Sequence, residues 1–456
     1  MSSRPIEVRS SDSPGTPDRW MILALVSLNY FVLYLHRNLL NYIQPPLKAD
    51  LNLIDFEIGI LRTAWLLPYC LVQLRVGYLS DRYRRRTVLL CSLLASVVAL
   101  GGMGFARNFE DFFYLRILLA LGQSASVPAM AGTIADCFTT RTRSKAVGIY
   151  LFSYSCALVV AGKYGGKTAD IEVWHLPLGE LGLENLDVAG WRMAHFLFAG
   201  LGGLAFLVVW FLFREPERTE RRSDVGLGTG GGAVWKTVWS VLRVPTFLVI
   251  ALVFALTSIV ISAVQFWLPA YFHDNEHFRL SLEEAGFFAT LWVQIGTVAG
   301  LLAGGIWADR WARRFLAGRT GIQLIGMLGM APTIWIIGTS HSRPLLATAM
   351  TIFGFGIGLY QSNLWTTTFE VVDPAARSTA VGLLNLAAGV LVYSWVDPAI
   401  GWIRHNVGGL GVIISSMSLV VGISVGLMVF NMIFLLPRYY RGPLRHEPAD
   451  TVETNS

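Results

Sequence analysis

"GYLSDRYRRRTVLL" (Gly77–Leu90) returns in altered form as "GIWADRWARRF" (Gly305–Phe315). Both fit G-x-x-x-D-R-[aromatic]-x-R-R, with Asp81 and Asp309 separated by 228 positions. A second pair is independent of the first: "ADCFTTRTRSKAVGIY" (Ala135–Tyr150) and "FEVVDPAARSTAVGLL" (Phe369–Leu384). It aligns Asp136 with Glu370 and Arg143 with Arg377, each at an offset of 234. Two unrelated motifs at nearly one offset mark the chain as two copies of one unit.

The surroundings of these motifs are apolar. Hydrophobic residues make up 54% of the 456-residue chain and charged residues 14%, against about 25% charged in ordinary soluble domains. The mean hydropathy is +0.53. Uncharged runs long enough to cross a bilayer as helices recur throughout, and the short alternating segments of a membrane β-barrel are missing. Twelve spans are expected, near 20–44, 58–80, 87–106, 111–137, 145–166, 192–213, 245–272, 285–307, 319–339, 344–369, 378–400 and 409–436. The fold class is therefore an all-α membrane protein of twelve transmembrane helices in two six-helix, pseudo-symmetric halves, the parallel-repeat architecture of a transporter.

Domain boundaries follow from composition. Residues 1–19 read as a polar N-terminal tail without a signal-peptide pattern, 20–213 as the first bundle and 245–436 as the second. Residues 214–244 form a charged, Gly-rich linker whose Trp235–Arg243 end suits a helix at the membrane surface, and 437–456 form a C-terminal tail. With the N-terminus in the cytoplasm, the inside segments hold 24 of the 36 Lys and Arg. That asymmetry is the positive-inside pattern. It predicts that both termini are cytoplasmic and explains the net charge of +6 without a nucleic-acid partner; a plasma or inner membrane is the expected location. The four cysteines and eight histidines are scattered, so no metal, cofactor or catalytic constellation is expected and an intramembrane enzyme is a remote reading.

The repeated loop resembles the signature of the major facilitator superfamily, G-x-L-x-D-R-x-G-R-[RK], with Arg84 and Ala312 in place of the inner glycine. "YLHRNLLNYIQP" is similar to the first-helix Y-x-D-R-x(7)-P pattern of the spinster-like and organic-anion symporter branches. "RILLALGQSA" and "IADCF" are similar to their fourth-helix patterns. The resemblance implies that helices 1, 4, 7 and 10 surround a cavity, and that two carboxylates carry a coupling proton beside two arginines. Here Arg37 and Arg116 remain, while His36 and Gln123 stand at the acid positions.

Helical spacing points to the same residues. Tyr30, Tyr34, Arg37 and Asn41 form one polar stripe, and Arg116 and Gln123 share a face of helix 4. Ser258, Ser262 and Gln265 line up on helix 7, Thr290, Gln294 and Thr297 on helix 8, and Tyr360, Gln361 and Trp365 lie in helix 10. An arginine at a span centre costs roughly 2.5–3.5 kcal/mol. Two of them without a carboxylate on their stripes suggest that the negative charge arrives with the substrate, held by the guanidinium forks. The expected substrate-binding set is Arg37, Arg116, Tyr34, Asn41, Gln123, Gln265, Gln294, Tyr360, Gln361 and Trp365, around a small organic anion. A lysophospholipid or sphingoid phosphate is the alternative. Bracing of helix packing is the competing role for each arginine.

An imidazole titrates near about pH 6.5, which makes His36 the candidate for proton coupling, with polar packing as its competing role. Protons or a counter-anion are the candidate partners beside the bilayer, and the chain is expected to be monomeric. Arg75 is expected to snorkel, and Lys163 to face either the cavity or the outer interface. A gate at the cytoplasmic face is expected from Gly77, Asp81, Arg82, Asp136, Arg143, Asp309, Arg310, Glu370 and Arg377. In it Asp81 caps a neighbouring helix or pairs with Arg143, Asp136 joins the same network, and Glu370 and Arg377 repeat the arrangement beside Asp309. Charge clusters that form and break suit a two-state device.

Overall fold

The structure, a computed structural model, describes residues 18–177, 186–215 and 231–440; within these, the side chains of 73–82 and of several scattered positions lie outside the description. Among the described residues, ten helices are long and apolar enough to cross a membrane: Arg19–Tyr42, Arg85–Met103, Phe109–Ile134, Lys145–Asp170, Gly190–Leu212, Pro245–Asp274, Leu282–Ala312, Gly318–Thr339, Arg343–Phe369 and Leu410–Tyr439. Two more complete the twelve. Asp55–Arg82 follows the first, and the eleventh runs in pieces, Arg377–Leu386, the wider-wound Ala387–Tyr393 and Val396–Asn406. They are numbered helices 1 to 12 below in chain order.

The repeat is visible in the irregularities as well as the motifs. Helix 4 breaks between Gln123 and Ser126, and helix 10 between Gln361 and Leu364. Helices 5 and 11 each carry a π-helical stretch, Ala161–Gly165 and Ala387–Tyr393, and such bulges concentrate at functional sites. The segment expected at the membrane surface forms a helix, Gly231–Leu242, with Trp235 and Trp239 exposed. A hairpin of β1 (Val173–Leu176) and β2 (Leu186–Ala189) between helices 5 and 6 was not anticipated. Its residues sit in a loop whose register is set by a single short pairing.

Large apolar side chains such as Phe211, Leu302, Leu419 and Val412 are exposed around the outside, as a lipid-facing belt requires. Inside, aromatic and aliphatic residues of helices 1, 2, 4, 7, 9 and 10 form one continuous core.

The ends of the described chain share one face, the terminal face. There Asp18 lies 3.9 Å from Arg214. At the opposite, far face the halves meet backbone to backbone. A Cβ on Gly162 of helix 5 would stand 2.5 Å from the carbonyl oxygen of Gly286 in helix 8. A Cβ on Gly59 of helix 2 would stand 2.4 Å from the carbonyl of Asp397 in helix 11. Only glycine allows such approach, as small residues do between membrane helices. Asp170 adds a cap: its two oxygens accept from the backbone N–H groups of Leu282 (2.7 Å) and Glu283 (2.8 Å). A carboxylate of the first half thereby satisfies a helix N-terminus of the second. The molecule is closed at the far face.

Candidate functional site

Helix 1 carries Arg37 into a box of rings. Its guanidinium carbon stands 4.0 Å from the ring centroids of both Tyr34 and Trp65, and 5.8 Å from that of Tyr69. Trp65 and Tyr69, one turn apart on helix 2, stack at 4.7 Å. Tyr154 of helix 5 meets Tyr34 edge-on at 4.6 Å, and Tyr30 stacks on Tyr150 at 4.0 Å. Aromatic faces attract a cation by about 0.5–2 kcal/mol each, depending on desolvation, but they accept no strong hydrogen bond. Arg37 is half-buried, and no carboxylate or carbonyl among the described residues takes its N–H groups.

Arg116 is engaged differently from Arg37. Its Nε donates to the carbonyl of Leu61 and its Nη1 to the carbonyl of Arg37, both at 3.1 Å, and the side chain is buried. It braces helix 4 to helices 1 and 2, and it holds the backbone from which the Arg37 side chain springs. Gln123 does the same one level away, donating from Nε2 to the carbonyl of Leu33 at 3.2 Å.

His36 faces away from the box. Its Nε2 lies 2.9 Å from the carbonyl of Phe198 in helix 6. A carbonyl accepts only, so that nitrogen carries the proton. The ring fills the space above Gly202, where a Cβ would meet Cε1 at 2.5 Å. The ring is thus packed on the seam between helices 1 and 6.

The remaining expected residues divide. Asn41 and Gln265 stay with Arg37's stripe: Asn41 Nδ2 donates to the carbonyl of Gln265 at 3.2 Å, and Gln265 Nε2 to the Tyr154 hydroxyl at 3.3 Å. Gln294 is buried beside Gln265, Thr290 and Tyr42. Thr290 and Thr297 donate to carbonyls of their own helix, Gly286 and Val293, at 2.7 Å. Tyr360 is a core residue of the second half, its carbonyl accepting from Gln323 at 3.3 Å. Gln361 is exposed, and Trp365 touches Phe254 rather than the box. Lys163 lies near the far face, its Nζ 5.3 Å from the Phe287 ring of helix 8.

The sequence reading overlooked a carboxylate and its partner. Arg62 of helix 2 lies three residues before Trp65, and its Nε pairs with Asp397 Oδ2 of helix 11 at 3.1 Å. The readable signal was simply an acid and a base inside the expected spans 378–400 and 58–80, which is rare enough in a membrane to demand a partner.

At the terminal face, the Asp81 side chain of the first half lies outside the described residues, and the second half differs from expectation. Asp136 pairs with Arg85 at 2.8 Å; Arg143 donates to the Phe138 carbonyl at 3.4 Å. In the second half Arg319, not Arg377, holds both acids: Nη2 to Asp309 at 2.9 Å and Nε to Glu370 at 3.0 Å. Arg377 donates to the Phe369 carbonyl at 3.3 Å, and Arg310 is exposed. Arg85 and Arg319 are 234 positions apart, the same offset as Asp136 and Glu370, so the repeat itself could have named the partner. Burial pushes the Glu370 carboxyl up to about 7, against the pull of Arg319. The side chains of Arg75, Gly77, Asp81 and Arg82 lie outside the described residues.

The family follows from comparison with known proteins. A model of the Major Facilitator Superfamily matches residues 26–395. The chain belongs to the Major Facilitator Superfamily. It is a multi-pass membrane transporter of that superfamily, and the repeated loop motifs are its signature. Its relatives include the probable sulfoacetate transporter SauU of Cupriavidus necator, 24% identical over 94% of this chain and 98% of that one. Protein spinster homolog 1 of Bos taurus is 25% identical over 81% of this chain and 72% of that protein. The chloroplastic ascorbate transporter of Arabidopsis thaliana is 22% identical over 86% and 70%. Among solved structures, a bacterial homolog of the human lysosomal transporter Spinster, inward-facing and unoccupied, superposes with a TM-score of 0.78 at 19% identity. It covers 94% of this chain and 100% of that one.

Proposed function

We propose that this superfamily transporter moves a small organic anion across the membrane by alternating access, with Arg37 as the counter-charge. The observation that carries the reading is a cation held at 4.0 Å between Tyr34 and Trp65, with its hydrogen-bonding groups unclaimed among the described residues. An arginine in that position is costly in a membrane unless an anion completes it. A carboxylate or sulfonate would take two parallel N–H bonds from the guanidinium, while the tyrosines of helices 1, 2 and 5 would enclose the remainder. Relatives named for sulfoacetate and ascorbate support the substrate class. In this reading Arg116 and Gln123 position helix 1 rather than touch the solute.

The terminal face is proposed to be cytoplasmic, because the positive-inside pattern of the basic loops assigns that side to it. The closed far face then corresponds to the outside, and the structure to an inward-facing state. The domain division into tails, two bundles and a linker is proposed with the boundaries given above, as a monomer in a plasma or inner membrane. The wall of rings around Tyr30, Tyr150 and Tyr154 favours one second reading, an amphipathic anion such as a lysophospholipid.

Counterflow in proteoliposomes tests both. Vesicles are preloaded with one compound from a panel of carboxylates, sulfonates, sugar acids, lysolipids, organic cations and neutral sugars, and uptake of the labelled compound is followed. Exchange of a small anion supports the first reading. Exchange of lysolipids alone selects the second, and exchange of cations or neutral sugars alone removes both.

A further inference from the structure

Asp397 is completely buried in the seam between the halves. Its Oδ2 accepts from Arg62 Nε of helix 2 at 3.1 Å and from Ser262 Oγ of helix 7 at 3.0 Å. The Trp267 indole lies beside it without closing a hydrogen bond, and Oδ1 makes none. Arg62 continues the chain across the interface, donating from Nη1 to Asn41 Oδ1 of helix 1 at 2.9 Å and resting 4.5 Å from the Phe266 ring. The same seam is the one in which Gly59 meets the backbone of Asp397 and Gly401 meets that of Asp55.

Opening the far face must draw helix 2 from helix 11 and break this pair. The buried carboxylate and the guanidinium would then stand apart, and the carboxylate would keep only the Ser262 hydroxyl as donor. A proton on the carboxylate removes one of those charges. The other, Arg62, sits one helical turn from Trp65 and so beside the Arg37 box, where an incoming anion would meet it.

We propose that Asp397 is the proton-binding site that couples opening of the far face to transport, and that the Arg62 it releases becomes a second counter-charge for the substrate anion. A proton passes from water to Oδ1; the bond from Arg62 to Oδ2 is given up; anion and proton enter together. As the far face closes and the terminal face opens, Oδ1 releases the proton to water on the terminal side, and Arg62 returns to the deprotonated carboxylate. The group lies on helix 11 rather than helix 1, in line with the packing role of His36. The inference rests on the alternating-access reading above.

Other charges at the seam are few. Helix 2 presents Arg62, with Arg116, Tyr42 and Tyr154 within its electrostatic reach. Helix 7 presents Ser262 and Trp267, and helix 1 presents Asn41 through Arg62. Two turns outward on helix 11, Arg404 pairs with Asp55 at 3.5 Å and with Asp274. Asp55 also pairs with Lys48 at 2.8 Å, around a recess of about 440 Å³. That outer cluster is the main rival source of a pH response.

The test needs no substrate. In the full chain, with its four cysteines replaced by serine, spin labels at Asn52 and Asn406 report the separation of helices 2 and 11 at the far face. The protein is held in lipid nanodiscs at pH 8 and pH 5, and distances are read by double electron–electron resonance. Acidification is expected to raise the long-distance population several-fold in the parent, to have no effect in Asp397→Asn, and to act normally in Asp55→Asn. If the single variant misfolds, the doubly neutral Arg62→Gln/Asp397→Asn is expected to fold and to be equally insensitive to pH. A normal response in either Asp397 variant, a response lost in Asp55→Asn, or no response in the parent overturns the proposal. Counterflow by the same proteins reads the anion assignment separately: loss of anion exchange with an intact distance response removes that assignment and leaves the proton site standing.

Discussion

The guanidinium of Arg116 donates to the backbone carbonyl of Arg37 at 3.1 Å. One intramembrane arginine is thus bonded to the helix that carries another, and the two are engaged differently. Arg37 is left with rings beside it and its N–H groups free among the described residues, whereas Arg116 is bound to carbonyls and buried.

Removing Arg37 is expected to remove the anion's counter-charge without unfolding the protein. Hydrogen bonds to charged groups contribute about 1.5–3 kcal/mol, so Arg37→Ala raises the half-saturating anion concentration in counterflow roughly 10- to 100-fold. Arg37→Lys recovers part of the loss, because a point charge lacks the planar fork. Wild-type affinity in Arg37→Ala would rule out the counter-charge role.

For Arg116 the expected loss is in stability. Arg116→Ala leaves the carbonyls of Leu61 and Arg37 buried without a donor, at about 1–3 kcal/mol for each unsatisfied group. The thermal midpoint in detergent should fall by several degrees. A fully stable Arg116→Ala that fails only in anion binding would restore the two-arginine clamp.

At the far face, Gly286→Leu sets a side chain against the Gly162 carbonyl, where even a Cβ would stand 2.4 Å away. Backbone oxygen cannot swing aside as a flexible side chain can, and overpacking costs typically about 1–3 kcal/mol. The halves should be held apart there. Maleimide labelling of Leu282→Cys in that background is expected to rise above that of Leu282→Cys alone, with counterflow slowed. Equal labelling would show that helices 5 and 8 close by another route.

Glu370 supplies a pH dependence at the terminal face. Its carboxyl titrates at about 7 in the folded protein, above its ordinary value, so the folded state holds a proton that an unfolded chain would already have released. The associated stability is complete at acid pH and declines as the pH rises toward about 7, where Glu370 ionises beside Arg319. Infrared difference spectra should show a protonated carboxyl band that disappears through pH 7 and is absent from Glu370→Gln. A band lost near pH 4.5 would place Glu370 in ordinary solvent.

Membrane class, twelve spans, the two-fold repeat and the family were all legible along the chain, because each is a statement about composition or period. Apolar runs must become helices where no water can satisfy a backbone, and a motif recurring at offsets of 228 and 234 needs no coordinates to be seen. The stripe of Tyr30, Tyr34, Arg37 and Asn41 was legible for the same reason, since 3.6-residue periodicity is local. Partnership was not. That Asp397 meets Arg62 across 335 positions, that Arg319 rather than Arg377 gathers Asp309 and Glu370, and that His36 turns to helix 6 depend on which helices become neighbours and how each is rotated. Two adjacent residues, His36 and Arg37, lie about 100° apart around one helix. That rotation alone sends one into a packed seam and the other into a ring of aromatics, and only the tertiary structure decides which is which.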